Sequence, residues 1–104
     1  MASGVYGKAD LAATTWTEIA AAPTSGVKVT SVSICNRTAA EITVRLAIAA
    51  DSSSVVDSDY IEYDTKVPAN GVLERSGVVL SSGNGLMAYA SDTGISAIAY
   101  GVDG

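Results

Sequence analysis

Five carboxylates crowd one stretch of the chain: Asp51, Asp57, Asp59, Glu62 and Asp64. Paired carboxylates are the residues of glycoside hydrolysis, where they work at a fixed separation inside a cleft. A chain of 104 residues leaves little room for such a cleft. Asp57-Ser58-Asp59 offers two side-chain oxygens to Ca²⁺, but a Ca²⁺ site takes six to eight oxygens. The glycine and the closing glutamate of an EF-hand loop are also missing. A solvated acidic surface is the better reading. Histidine is absent, so the commonest general base and metal ligand is gone, and with it every Ser-His or Cys-His pair. One cysteine, Cys35, cannot build a zinc site. Gly83 and Gly85 precede a strand-like segment, so they lack the helix N-terminus of a phosphate cradle. No catalytic, cofactor-binding or metal-ligating residue is expected, and no enzyme. Tyr60, Tyr63, Tyr89 and Tyr100 are candidates for a sugar-stacking platform, although tyrosine more often packs in cores and interfaces.

Charge narrows the partners. The net charge is −5, and the three lysines and three arginines are scattered. Nucleic-acid binding needs a clustered basic face that displaces counterions, so none is expected. No apolar run approaches the ~20 residues that span a bilayer. The first residues show no basic segment followed by an apolar one, which argues against a signal peptide. A lone cysteine forms no internal disulfide, as suits folding in a reducing cytoplasm.

The elements that must position these residues read as strands. Ile42, Val44, Leu46 and Ile48 alternate with Thr43, Arg45, Ala47 and Ala49, the period of a strand with one buried face. Arg45 falls on the opposite face, where it is solvated or paired with a carboxylate. Val27 to Cys35 suits a second strand. The polar run Asn36 to Ala40 reads as the turn joining the two into a central hairpin. Of Ile34 and Cys35 one must face inward, and a buried, inert thiol is the expectation for Cys35.

Further strands are expected over Thr14–Ile19, Tyr60–Asp64, Val72–Leu80, Leu86–Ala90 and Ile95–Val102. Strict alternation puts Ile61 and Tyr63 on one face of their strand, and Tyr60, Glu62 and Asp64 on the other. Pro68-Ala69-Asn70-Gly71 and Ser81 to Gly85 are turns. Asp92-Thr93-Gly94 is short enough to make the last two strands a hairpin. Seven or eight short strands separated by such turns mark an all-β, single-domain antiparallel β-sandwich, jelly-roll-like with an Ig-like arrangement as the alternative. Alanine-rich strands and the absence of Phe predict a thin core. Residues 1–13 form an N-terminal arm and residues 14–104 the sandwich domain. Tyr6 and Leu11 on the arm, with Trp16 just beyond it, are the expected interface anchors, since aromatics concentrate at interface cores. Core burial is the competing reading for Trp16.

The order of these pieces resembles a group of small phage virion proteins. The resemblance runs through Thr14 to Ile19, the Pro23 loop, Ile34-Cys35-Asn36-Arg37 and Ile42 to Ile48. It continues through Tyr60-Ile61-Glu62-Tyr63-Asp64, Pro68-Ala69-Asn70-Gly71 and Tyr100-Gly101-Val102, covering roughly residues 14–102. It implies a capsid decoration (cement) protein, made in the host cytoplasm. Such a protein sits as a homotrimer on the outer capsid surface of the virion, with the major capsid protein and itself as partners. It implies no cofactor. A tail or baseplate component is the alternative, and a carbohydrate- or host-surface-binding β-module the third reading.

Overall fold

A computed structural model describes residues 3–103. Eight strands run in chain order: β1 Ser3–Leu11, β2 Thr17–Ala20, β3 Val27–Asn36, β4 Ile42–Ala49, β5 Tyr60–Val67, β6 Val72–Ser81, β7 Gly85–Ala90 and β8 Ile95–Asp103. A 3-10 turn, Asp57–Asp59, precedes β5. The strands make two four-stranded sheets, ordered β1-β8-β3-β6 and β2-β7-β4-β5, with every strand pairing antiparallel.

The pairs β1·β8, β2·β7, β3·β6 and β4·β5 are nested, as in one long hairpin rolled up on itself. That is the jelly roll, and it decides between the two sandwich topologies expected from sequence.

In this topology consecutive strands usually lie in opposite sheets. The expected β3–β4 hairpin is therefore not formed. β3 is flanked by β6 and β8, and β4 by β5 and β7, so neither has a free edge for the other. The chain crosses between the layers at Arg37–Glu41 instead. The expected β7–β8 hairpin is absent for the same reason: the Asp92-Thr93-Gly94 corner carries the chain from one sheet to the other.

Asn36 builds the first of these corners. It is 1% exposed, yet its amide is fully engaged. Nδ2 donates to the carbonyls of Ala40, Val67 and Pro68 at 2.8, 3.1 and 3.2 Å. Oδ1 accepts from the backbone N–H and the hydroxyl of Thr38 at 2.9 and 2.7 Å. Backbone bonds extend the knot: Asn36 N–H to Gly71 O, Arg37 N–H to Gly94 O, and Asn70 N–H to Thr38 O. The β3–β4, β5–β6 and β7–β8 corners are thus joined at one end of the sandwich.

The core lies between the two inner faces. Ile34, Leu46, Leu80, Leu86 and Ile95 are fully buried there, packed with Ala88, Ala90, Ala97 and Ala99. Fully burying one Leu or Ile contributes about 1.5–3 kcal/mol, and the small alanines let the layers close, which makes the core thin. Ile34 takes the inward position, so Cys35 points to the outer side, half-buried between its partners Val72 and Ser96.

Residues 3–11, expected as part of an arm, form edge strand β1 against β8. A register shift between Val5 and Gly7 breaks the period-two pattern, which hides the strand in the sequence. Met1, Ala2 and Gly104 lie outside the described residues.

Candidate functional site

The inner faces being filled, any function falls to the outer faces, the edges and the loops. The two outer faces differ in chemistry.

On the first sheet, the outward positions include an apolar row beside serines and charged residues such as Ser31, Ser33, Lys8 and Glu74. Val79, Val29 and Val102 are cross-strand partners in one row over β6, β3 and β8. Tyr100 and its partner Val5 extend the patch onto β1. These five side chains are between 38% and 62% exposed. Partners on one face stand ~4.5–5.5 Å apart, so the row is continuous.

On the second sheet the outer face is aromatic and charged. β5 departs from strict alternation in two places, where one extra residue is inserted opposite β4. Asp64 adopts a left-handed φ of 49°, which a short polar side chain tolerates. The insertion swings Tyr63 outward while Ile61 packs on the core, so these two do not share a face as alternation predicted. Tyr60, opposite Ala47, is also outward.

The result is a closed circle of side chains. The Tyr60 and Tyr63 rings meet edge to face, with centroids 4.9 Å apart. Trp16 lies 5.8 Å from Tyr60 and 5.3 Å from Tyr89. The Arg45 guanidinium closes the circle, 4.4 Å from the Tyr63 ring and 5.0 Å from that of Tyr89. Asp64 grips Arg45 through two bonds, 2.6 Å from Nε and 3.3 Å from Nη2. The hydrogen bond from Arg45 holds the Asp64 carboxyl below its ordinary range, and the same bond raises the arginine. Ala47 and Met87, register partners within this face, are fully buried yet stand outside the main core cluster.

A shallow hollow of about 330 Å³ opens beside the circle, lined by Asp57, Tyr60 and Tyr63. Among the described residues the Asp57 carboxylate has no hydrogen-bond or ion-pair partner. Glu62, by contrast, faces inward at the rim, pairs with Arg75 of β6 and accepts from the Thr65 hydroxyl, closing one edge of the sandwich. Asp51 caps its own loop through Ser53 and Ser54, and the Ser53 hydroxyl bond lowers its carboxyl from the ordinary value. The acidic stretch is therefore dispersed. Among the described residues no group of three or more His, Cys, Asp or Glu side chains is placed to hold a metal, and no helix is long and apolar enough to cross a membrane.

The three expected anchors are separated. Leu11 is 2% exposed and belongs to the core, which removes it from any contact surface in this fold. Tyr6 is half-buried against the core, with the Lys28 ammonium 4.9 Å above its ring. Trp16 is half-buried on the outer face of the second sheet rather than between the layers. Of the four tyrosines singled out from sequence, Tyr60, Tyr63 and Tyr89 come together, while Tyr100 lies on the other sheet. Arg45 and Asp64 complete the group. Alternation in β4 signalled that Arg45 faces outward, but nothing local signalled the insertion that delivers Asp64.

No protein-family model matches the chain. No curated protein matches it either. Among solved structures it is similar to a pentameric capsid protein isolated from metagenomic phage sequences, at 15% identity and a TM-score of 0.48. The similarity covers 97% of this chain, which spans 63% of that one.

Proposed function

We propose that this protein is a non-enzymatic structural component of a phage virion. In this reading it is a capsid decoration protein that self-associates as a trimer on the outer surface of the head and clamps neighbouring major capsid proteins. The carrying observation is the exposed apolar row on the outer face of the first sheet. Large contiguous apolar patches are uncommon on monomers and mark interaction surfaces. The Val79–Val29–Val102 row with Val5 and Tyr100 offers apolar area at about 25 cal/mol per Å² buried.

The occupant proposed for this face is another copy of the same chain. Each copy carries a net charge of −5, so copies repel unless they meet through an uncharged surface, and this row is uncharged. The molecule measures 40 × 27 × 18 Å along its principal axes, so its broad faces exceed the ~800 Å² that each partner gives a standard interface. The jelly roll adds support by analogy alone, since it recurs in viral capsid and lectin domains. The resemblance of the sequence to small virion proteins points the same way. With Leu11 in the core, Trp16 remains the expected anchor toward the capsid, from the opposite face.

Cryo-electron microscopy of purified particles tests this. Clustered sandwiches at high copy number on the outer face of the head are the expected result. A bare head, with the chain confined to the tail, would replace the proposal with the tail or baseplate reading. Complete absence from particles would end the virion reading altogether.

A further inference from the structure

We infer that the hollow beside Tyr63 on the outer face of the second sheet is a binding site for a neutral saccharide. The inference does not rest on the virion reading: it is argued from the lining of the hollow alone and tested on the free chain, although Trp16, the anchor proposed toward the capsid, lies on the same face.

The chemistry around the hollow selects the ligand class. Tyr60 and Tyr63 stand at 84° to one another, so one ring makes a floor and the other a wall. Tyr63 is 59% exposed and presents apolar ring surface to solvent. A sugar ring has an apolar C–H face that packs on such a surface, and hydroxyls around its edge that both donate and accept hydrogen bonds. The polar groups near Tyr63 supply both partners. Asp57 lines the hollow and is an acceptor with no partner among the described residues. Arg45 and Asp64, paired with one another, bring donors and acceptors to the Tyr63 ring.

The same lining disfavours ions. An anion would meet Asp57 and Asp64 in a chain of net charge −5. A cation would meet Arg45, which already occupies ring surface on Tyr63. A neutral polyol pays neither repulsion. The volume, about 330 Å³, lies at the lower end of small-ligand sites and suits one or two sugar units. The site is held by contacts of its own: the ion pair orients Arg45, the Trp16 ring backs Tyr60, and both bulges lie in the paired strand β5.

Trp16 is the only tryptophan and lies 5.8 Å from Tyr60, so its fluorescence reports on the site. The full chain is screened on an array of neutral glycans, and array-positive oligosaccharides are titrated against that signal. Saturable binding is expected, weakened at least tenfold by Tyr63→Ala and several-fold by Asp57→Asn. Glu41→Gln, at an exposed position in the β3–β4 corner, is expected to bind as the parent does. Circular dichroism melts keep a folding defect from passing as lost binding. An array without positives overturns the inference. So does a Tyr63→Ala chain that melts normally and binds unchanged, or tetramethylammonium or phosphate saturating the site as well as the sugars do.

Discussion

Asn36 is buried at a corner where the chain leaves one sheet for the other, and five hydrogen bonds use its whole amide. Removing it leaves the Val67 carbonyl without this donor inside the fold, and an unsatisfied buried group costs ~1–3 kcal/mol. Asn36→Ala is expected to lower the unfolding free energy by about 2–3 kcal/mol in urea titration. Asn36→Asp should be no rescue, because a carboxylate cannot donate to three carbonyls.

Arg45 and Asp64 make a different kind of pair, partly exposed and worth little to global stability. Its signature is a titration. The folded Asp64 carboxyl lies below the unfolded Asp value of ~3.9, so its stabilisation is complete above that unfolded value and disappears as pH falls through the depressed folded one. Carboxyl NMR should give a midpoint below the ordinary range for Asp64, and Arg45→Met should return it upward. An unchanged midpoint in that variant would show that the bond is not formed in solution.

Strand β8 is hemmed in on both sides. It runs between β1 and β3 and contributes Ile95, Ala97 and Ala99 to the core. Gly101, two residues on, faces β3 so closely that a Cβ there would collide with the Val29 carbonyl. That neighbour is backbone and cannot swing aside, so β3 and β8 would have to part. Gly101→Ala is expected to destabilise by about 1–3 kcal/mol, the usual cost of overpacking, read as a lower denaturant midpoint with an unchanged m-value. Strand β5 illustrates the converse: its two insertions cost regular pairing with β4 but turn Tyr63 and Asp64 to the outer face.

At the scale of the molecule, the two proposals fall on different outer faces: self-association on the apolar row, ligand binding on the aromatic and charged group. Val79 is 54% exposed and stands at the edge-strand end of the apolar row, opposite Val29. Val79→Asp should leave the melting of the single chain nearly unchanged while weakening association about 100-fold or more, because an unpaired carboxylate would be buried in the contact. Mass photometry and sedimentation should find trimers for the parent chain and monomers for the variant. Equal masses would remove this face from the assembly.

Much of this was legible from the residues themselves. The strict alternation of Ile42, Val44, Leu46 and Ile48 defined a one-sided strand, placed Arg45 outward, and with the turn residues defined an all-β sandwich. Those signals are local, since side-chain period and turn chemistry depend on neighbours along the chain. Which strands pair is not local. β3 and β4 look like a hairpin because a short polar run joins them. They part because β6 and β8 take both edges of β3, and because Asn36 finds its partners 31 and 32 residues away, at Val67 and Pro68. The strand at residues 3–11 was masked by its bulge, and the fate of Leu11 followed from pairing with β8 at the far end of the sequence. The candidate site was half visible: composition pointed to Tyr60, Tyr63 and Tyr89. Only the tertiary structure joined Trp16, Arg45 and Asp64 to them and sent Tyr100 to the other face, because inserted residues and sheet order, not the alternation rule, set where those side chains stand.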